Sequence, residues 1–245
     1  MLRGDTDINK FNSKIWDMYT SREHLDSKNM SKFHPEGELG PGYGWQFRYC
    51  GAVHPVNAWI KYCEELLEEN NVDMTIEYNK KDFRKQYEEF RDEHIMKLLN
   101  KNKYKDQLQY VIDELNNNSN SRYALINLWN PNNLESMSLP PCHFVYHFYK
   151  HGKWLDLSLT QRSADLMLGV PFNIFNATLF AHIVGYYTNS IPRFLTHHTN
   201  HTHIYKNHLE NAKLQIDNRS LLSIEKPLFK VLKLQFAKLI YAYHR

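Results

Sequence analysis

Residues 154–161 constrain the fold of this chain more than any other stretch of its sequence. Leu155, Leu157 and Leu159 alternate there with polar or charged residues. Successive side chains of a strand point to opposite faces, so this alternation predicts a strand with one buried and one polar face. Two further strands are predicted nearby, at 123–129 and 144–149, and residues 150–153 form the turn between the second of these and 154–161.

Helices are predicted on both sides of these strands. Residues 172–187 follow Pro171, which favours a first helical turn, and they are largely apolar, so the sequence predicts a mostly buried helix. Residues 55–120 are rich in charge and carry apolar side chains at three- and four-residue spacing, which is typical of amphipathic helices. Residues 204–215 show the same spacing, whereas the tail beyond Asp217 has mixed spacing and receives no assignment.

The length and charge of the chain limit its class. Its 245 residues suit one domain or at most two small ones. A formal net charge of +3 is nearly balanced, so no DNA partner is expected. The three cysteines form no CxxC pair, which favours a reducing compartment. No run of about 20 apolar residues is present, so we expect no membrane association and predict a soluble, cytoplasmic protein.

Cys142 has the sequence surroundings of a nucleophile. Two prolines precede it and fix the backbone, and a predicted strand follows it. A reactive cysteine needs a positive group nearby to favour the thiolate, and Arg162 directly follows another predicted strand. The alternative is that Cys142 is a small buried side chain, which is the commoner role of a free cysteine and the one that the local pattern alone favours.

Arginines beside serines offer candidate sites for an anion. Ser121-Arg122 and Arg162-Ser163 each place a guanidinium, whose fork matches phosphate oxygens, next to a hydroxyl. Ordinary surface ion pairs are the alternative, and without further context they are the commoner arrangement.

A histidine cluster and two aromatic residues are further candidates. Four histidines lie within seven residues: His197, His198, His201 and His203. Imidazole is the commonest metal ligand, so a zinc site is one interpretation of this cluster. No cysteine pair or HExxH spacing accompanies the histidines, and we therefore expect a polar loop and no metal. Trp16 and Tyr43 have the rings to stack on a planar ligand, although packing in a core or a turn is their commoner role.

Several longer motifs resemble the thymidylate synthase family. The stretch Leu139-Pro140-Pro141-Cys142-His143 resembles the family's active-site cysteine motif, and QRSAD (161–165), LGVPFNI (168–174) and HIYKNH (203–208) follow in the family's order. Other matches are SR (121–122) with LWNP (128–131), GDT (4–6), IWD (15–17) and ELGPGYG (38–44). SREHLDS (21–27) resembles the eukaryotic or viral branch. The resemblance covers about 1–54 and 107–217.

The resemblance implies the fold class α/β (α+β). We expect a single thymidylate synthase-like domain over 1–245, built on a large mixed β-sheet with helices flanking it. The resemblance also implies a homodimer that forms through the exposed face of the sheet. Residues 55–106 have no counterpart in the family pattern, so we expect them to form a helical insertion.

The resemblance further implies a methyltransferase that converts dUMP to dTMP, with 5,10-methylenetetrahydrofolate as the cosubstrate. In this chemistry a cysteine thiolate adds to C6 of uracil, C5 attacks the methylene group, and the folate returns a hydride. The implied catalytic residues are Cys142, Tyr43 and Arg162. The implied dUMP contacts are Arg122 (toward the partner subunit), Arg162, Ser163, Asp165, Asn173, His203 and Tyr205. The implied folate contacts are Trp16, Asp165 and Gly169.

The chain also departs from the family pattern. It starts inside that pattern, so we expect the family's N-terminal arginine loop and catalytic glutamate to be missing, together with the C-terminal segment that closes over folate. Tyr123 replaces a second arginine, and His147 replaces a glutamine. Losing a general acid or base typically costs about 10²–10⁴ in rate. Two alternatives stay open: a dUMP hydroxymethylase, and an inactive homologue that binds nucleotide, a partner or, by family analogy, RNA.

Overall fold

The computed structural model describes residues 2–11, 14–70, 80–101 and 103–218. The helices are α1 (Arg22–Ser27), α2 (Tyr43–Arg48), α3 (Pro55–Asn70), α4 (Lys80–Lys101), α5 (Gln107–Asn117), α6 (Gly169–Tyr187) and α7 (Leu209–Asp217). Within the described ranges, no helix is both long enough and apolar enough to cross a membrane. The unassigned tail from residue 219 onward lies outside these ranges.

The strands form a mixed four-stranded sheet and a short parallel pair. They are β1 (Leu125–Asn127), β2 (His143–His151), β3 (Trp154–Gln161), β4 (Ala164–Asp165), β5 (Ile191–Thr199) and β6 (Thr202–His203). The large sheet has the order β1-β2-β3-β5, in which β1, β2 and β3 are antiparallel and β5 is parallel to β3. A parallel pair needs a crossover, and α6 supplies it. The predicted mixed sheet with flanking helices is confirmed.

One face of the large sheet carries the main core. Leu155, Leu157 and Leu159 of β3 are at most 1% exposed, as their alternation predicts. They pack in one cluster with Val111 of α5 and Val184 of α6, both of which are fully buried. Burial of each such side chain stabilises the fold by roughly 1.5–3 kcal/mol. The core therefore fixes β2 and β3, whose ends carry the candidate site.

Two elements are shorter than predicted. Strand β1 begins at Leu125, because the Tyr123 carbonyl accepts a hydrogen bond from the Leu125 N–H at 2.8 Å in a tight local turn. The predicted helix at 204–215 begins only at Leu209, because a 3₁₀ turn occupies Lys206–His208. Both differences lie at ends of elements, where local hydrogen bonds compete with the regular pattern.

Helix α6 is buried along one face only, so the prediction of a mostly buried helix was wrong for its first half. Its buried residues recur at helical spacing and face the core: Ala177, Phe180, Ala181, Val184 and Gly185. Near its start Phe172, Ile174 and Phe175 are 57%, 44% and 50% exposed. Apolar content alone does not reveal which face of a helix another element covers.

Helices α3 and α4 pack against each other around a second, smaller core. Trp59 and Cys63 of α3 lie in one buried cluster with Phe83 and Tyr87 of α4, and Phe33 of the N-terminal segment completes it. The helical character predicted for this part of the chain is confirmed. These two helices are therefore joined to the N-terminal segment by a shared apolar core.

Buried charges also tie α4 to the N-terminal segment. Asp7 forms ion pairs with Arg84 at 2.6 Å and with Arg91 at 2.9 Å. Glu38 forms a backbone bridge with Asp7 and accepts a hydrogen bond from the Tyr87 hydroxyl at 3.0 Å. Burial disfavours the charged form of a carboxyl and raises the pKa of Glu38 from 4.5 to about 7.

Replacing Glu38 by glutamine should stabilise the protein at neutral and alkaline pH. Because the folded pKa lies above the unfolded one, the folded wild type loses stability as pH rises from 4.5 to about 7. Glutamine carries no charge, so the variant's advantage should be small near pH 4.5 and reach up to about 3 kcal/mol above pH 7. Denaturant unfolding at several pH values measures this difference. Glu93→Gln on the exposed side of α4 is the control, and an advantage that is independent of pH would contradict the prediction.

The chain divides into two compact units, one ending at His203 and the other beginning at Ile204. The first unit contains both sheets, both cores and helices α1 to α6. In the described part of the second unit, α7 buries Ala212 while Leu214 and Ile216 are exposed. The organisation of 1–245 as a single domain stays a prediction.

Candidate active site

Cys142 lies at the start of β2, beside the end of β3. The Arg162 N–H donates to the Cys142 carbonyl at 2.9 Å, so pairing of the two strands brings these residues side by side. Cys142 is half-buried, unlike Cys63, which is 1% exposed. Cys142 is therefore not fully buried, and its role as a nucleophile stays a prediction. A half-buried thiol on a fixed backbone is suited to a nucleophile.

The guanidinium of Arg162 holds the loop that carries Cys142. Its Nε donates to the Pro141 carbonyl and its Nη2 donates to the Pro140 carbonyl, both at 2.9 Å. Its central carbon lies 5.7 Å from the centre of the Trp129 ring. These bonds use two of the five N–H donors of an arginine, so the others can still bind an anion. Arg162 therefore combines a structural contact with an anion-binding capacity.

Tyr43, the first residue of α2, contacts the Cys142 backbone although the two are 99 residues apart. The Cys142 N–H donates to the Tyr43 hydroxyl oxygen at 2.6 Å. Trp16 and His143 pack on the Tyr43 ring, with ring centres 5.9 and 5.7 Å away. Burial raises the pKa of Tyr43 well above its usual value, so the phenol stays protonated at neutral pH. Its proton therefore remains available for donation.

Two glycines, one on each side of Tyr43 in the sequence, pack closely against other segments of the chain. Gly40 has a φ of +72°, and a Cβ on it would lie 2.1 Å from the Ser136 carbonyl oxygen. A Cβ on Gly44 would lie 2.3 Å from the Asp5 carbonyl oxygen. Neither position can take a side chain without moving the backbone. Close backbone packing therefore fixes the position of Tyr43.

A row of side chains connects β5 to the start of α6. Gln161 at the end of β3 donates from Nε2 to Asn173 Oδ1 at 2.8 Å, and its Oε1 lies 2.8 Å from His197 Nε2. Because an amide oxygen only accepts, His197 donates here and carries its proton on Nε2. Burial and the neighbouring His198 lower the pKa of His197, so it is neutral at pH 7. Two hydrogen bonds therefore fix the orientation of the Asn173 amide through Gln161.

Asp165 and Gly169 meet Asn173 at the start of α6. Asp165 Oδ1 accepts hydrogen bonds from the backbone N–H groups of Met167 and Leu168, at 3.1 and 3.4 Å. A Cβ on Gly169 would lie 3.3 Å from Asp165 Cβ and 3.6 Å from Asn173 Oδ1. One oxygen of Asp165 thus holds the turn that leads into α6, which begins at Gly169.

Comparison with known proteins identifies the family of this site. The family model described as thymidylate synthase matches residues 1–239. The chain belongs to the thymidylate synthase family. The thymidylate synthases of human herpesvirus 8 and Homo sapiens are 33% and 34% identical to it over 218 residues, each covering 88% of this chain. The thymidylate synthase of Ascaris suum is 34% identical over the same length and share.

The chain spans only part of these thymidylate synthases. The matched region covers 53% of the herpesvirus protein, 57% of the human protein and 60% of the Ascaris protein. Membership of the family therefore rests on 1–239, whereas the activity, substrates and partners of whole thymidylate synthases are proposals for this chain.

Arg122 lies far from Cys142 of the same chain. It is exposed and sits in the turn before β1, where the Asn120 N–H donates to the Lys150 carbonyl at 3.2 Å. Eight residues along the β2 segment separate Cys142 from Lys150, which corresponds to roughly 25 Å at about 3.3 Å per residue. The structure thus leaves Arg122 outside its own chain's candidate site, and its predicted role depends on a second subunit.

The histidine cluster is not the polar loop that the sequence predicted. His197 and His198 lie on β5, His201 lies in a turn with a φ of +37°, and His203 lies on β6. Interspersed threonines, whose branched side chains favour strands, supply the reason. In the part of the chain that the structure describes, no group of histidine, cysteine or acidic residues is arranged to hold a metal ion.

The remaining predicted residues are His203, Tyr205 and Ser163. His203 is paired with Asp165 across the β4–β6 bridge, and its Nδ1 lies 3.0 Å from the His201 carbonyl oxygen. Tyr205 belongs to the second unit and is 54% exposed. Ser163 is half-buried, and its carbonyl accepts from Gln161 Nε2 at 2.7 Å. Their roles in ligand binding stay predictions.

Sequence reasoning missed Gln161, His197 and His143 as members of the site. Burial lowers the pKa of His143 to about 4, and its Nδ1 lies 2.9 Å from the Tyr146 hydroxyl. The available signal was positional. Gln161 ends the alternating strand directly before the Arg162-Ser163 motif, and His143 directly follows Cys142.

Proposed function

We propose that this chain carries the active site of a thymidylate synthase, which methylates dUMP to dTMP with 5,10-methylenetetrahydrofolate as the cosubstrate. The contact of Tyr43 with Cys142, beside Arg162, is the observation that carries the proposal. It joins three separate family motifs in one place, within a family match that covers 1–239. The three free cysteines suit a reducing compartment, and the cytoplasm is part of the proposal.

The phosphate of dUMP would bind at Arg162 and Ser163. The guanidinium retains donors beyond the two that hold the Cys142 loop, and Ser163 adds a hydroxyl. A phosphate bound there would lie next to the residue that positions the nucleophile. The thiolate is the form of a cysteine that adds to C6 of the uracil ring.

Asn173 would read the uracil ring. An amide donates through its nitrogen and accepts through its oxygen, which suits the O4 and N3–H groups of uracil. The hydrogen bond from Gln161 to Asn173 Oδ1 supports one fixed orientation of that amide. Cytosine presents the reverse pattern at these two atoms, so the site should prefer dUMP over dCMP.

Tyr43 would take part in proton transfer at C5. Its hydroxyl oxygen already accepts from the Cys142 N–H. Its raised pKa keeps the hydroxyl protonated at neutral pH, so the group can accept a proton from C5 only while it donates its own proton to water or a base. The C5 proton must leave before the methyl group is complete, so a buried hydroxyl beside the nucleophile is a suitable relay.

The folate cosubstrate supplies the methylene carbon and the hydride. Trp16 packs on the Tyr43 ring at the edge of the main core, which supports an aromatic surface for a planar ring. Gly169 leaves space beside Asp165 that a Cβ would fill. Trp16, Asp165 and Gly169 are therefore our proposed folate contacts.

A homodimer is part of the proposal. The face of the large sheet opposite the core is open in the single chain, with Tyr149 of β2 42% exposed and Leu125 of β1 38% exposed. Two neighbouring strands of this sheet are linked by Arg193 of β5, which donates from Nε and Nη2 to the carboxylate oxygens of Asp156 of β3 at 3.1 and 2.6 Å. A second copy covering this face would also give Arg122 an active site to reach.

Product analysis tests the proposed function. The purified chain would be incubated with dUMP and 5,10-methylenetetrahydrofolate, and the nucleotides would be separated and identified by mass spectrometry. We expect dTMP and dihydrofolate in equal amounts. Formation of 5-hydroxymethyl-dUMP would contradict the proposal in favour of a hydroxymethylase, and unchanged dUMP from folded protein would contradict both.

Replacing Tyr43 by phenylalanine should lower kcat by about 10²-fold, the lower end of what a proton-transfer group contributes. The variant keeps the ring that packs on Trp16 and His143, so KM for dUMP should change by less than about threefold. Steady-state kinetics of dTMP formation measure both constants. Tyr110→Phe on α5 is the control, and a Tyr43→Phe enzyme with the kcat of the parent would contradict a role for the hydroxyl.

A further inference from the structure

Helix α4 is connected to Tyr43 and Cys142 through a short series of direct contacts. Arg91 pairs with Asp7 at 2.9 Å, and the Tyr87 hydroxyl donates to Glu38 at 3.0 Å. Arg91 is only 8% exposed and Tyr87 is fully buried, so both contacts lie inside the protein. Few exposed ion pairs contribute measurably to a structure, but buried ones are costly to break. The helix therefore fixes two acidic side chains of the N-terminal segment.

The two acidic residues lie on either side of a small backbone bridge that leads into Tyr43. Asp7 and Glu38 lie opposite each other in an antiparallel backbone bridge. The Leu39 N–H donates to the Thr6 carbonyl at 3.0 Å, and the Ile8 N–H donates to the Gly37 carbonyl at 2.9 Å. Gly40 to Gly42 follow directly, and α2 then begins at Tyr43. Only three residues therefore lie between Leu39 of the bridge and Tyr43.

The same bridge also contacts the chain just before Cys142. The Leu39 carbonyl accepts from the Ser138 N–H at 3.1 Å and lies 3.3 Å from the Ser138 hydroxyl. Gly40 packs so closely on Ser136 that a Cβ has no room there. Only three residues, two of them prolines, separate Ser138 from Cys142. The bridge is thus packed against both halves of the Tyr43–Cys142 contact.

We propose that α4 positions the Tyr43–Cys142 pair, with Tyr87 and Arg91 acting as positioning residues that hold Glu38 and Asp7 in place. The proposal gives α4 a role in the reaction, and in that respect it rests on the proposed function. A small displacement of a catalytic group by a remote change can cost on the order of 10²-fold in rate, so loss of one such contact is measurable. Loosening of the pair is also measurable without any reaction.

The test compares Tyr87→Phe and Arg91→Lys with the parent chain in two measurements. Hydrogen–deuterium exchange reports the Cys142 amide, which donates to Tyr43, in a peptide whose two prolines have no exchangeable amide. Each variant should exchange this amide at least about tenfold faster, with the exchange of β3 unchanged. Kinetics should show kcat about tenfold lower and KM for dUMP within about threefold. Tyr62→Phe on the exposed side of α3 is the matched control.

Three results would overturn the proposal or separate it from the proposed function. Parental exchange and parental kcat in both variants would overturn it, because α4 would then not act on the pair. Equally faster exchange in β3 and at Cys142 would also overturn it, because the helix would then only stabilise the fold. A parent chain without dTMP formation would contradict the proposed function, while the exchange rates would still decide whether α4 holds Cys142 against Tyr43.

Discussion

Replacing Cys142 by serine should abolish dTMP formation while the protein stays folded. A serine hydroxyl is far less acidic than a thiol and is not ionised at neutral pH, so it cannot add to C6 of uracil as the thiolate does. Loss of the nucleophile from a catalytic unit costs on the order of 10⁴-fold or more in kcat. Rates of dTMP formation, measured at saturating dUMP, test this directly.

The control for this variant is Cys50→Ser, which changes a half-buried cysteine outside the candidate site. It should retain the rate of the parent. Binding of dUMP to Cys142→Ser should remain within a few-fold of the parent value, because Arg162 and Asn173 are intact. Residual dTMP formation above about one per cent of the parental rate would exclude Cys142 as the nucleophile.

Replacing Arg162 by alanine should produce the second largest loss. Charge-assisted hydrogen bonds contribute about 1.5–3 kcal/mol each, and Arg162 makes two to carbonyls while retaining donors for a phosphate. We expect kcat/KM for dUMP to fall by at least about 10³-fold, through both a lower kcat and a higher KM. KM reports the lost phosphate contact, and kcat reports the loosened loop at Cys142.

A matched control is Arg3→Ala, since Arg3 has a 70% exposed side chain and pairs with Asp5 at 3.3 Å. Its kinetic constants should stay close to those of the parent. If Arg162→Ala raises KM for dUMP and for its phosphate-free nucleoside by the same factor, the residue acts through the loop alone. That result would contradict its assignment as a phosphate contact.

Strand β3 could be predicted from sequence because its alternation reports burial residue by residue. The structure places the strand at Trp154–Gln161, the boundaries that the pattern predicts. Helix α6 shows the limit of such reasoning. Its apolar first turns predicted burial, yet Phe172 is 57% exposed, since composition does not say what lies opposite a face.

The candidate site was only partly accessible to local pattern. The motif around Cys142 is contiguous, but its hydrogen bond to Tyr43 joins residues that are 99 positions apart. Only the resemblance to a family predicts that these two segments belong to one site. The connection of His197 to Asn173 through Gln161 was missed, because it depends on the register between β3 and β5. Register is a tertiary property that no single segment encodes.

The measurement that tests the central claim most directly is capture of a nucleotide on Cys142. The chain would be incubated with 5-fluoro-dUMP and 5,10-methylenetetrahydrofolate. In this analogue fluorine replaces the C5 hydrogen, so no proton can be removed from C5. The reaction should therefore stop after the thiol and the methylene carbon have been joined to the ring. We predict that the peptide containing Cys142 gains the mass of one nucleotide plus one folate, and that the Cys142→Ser protein gains none. An unmodified Cys142 in folded protein, or the same mass gain on Cys50, would contradict the assignment of this site.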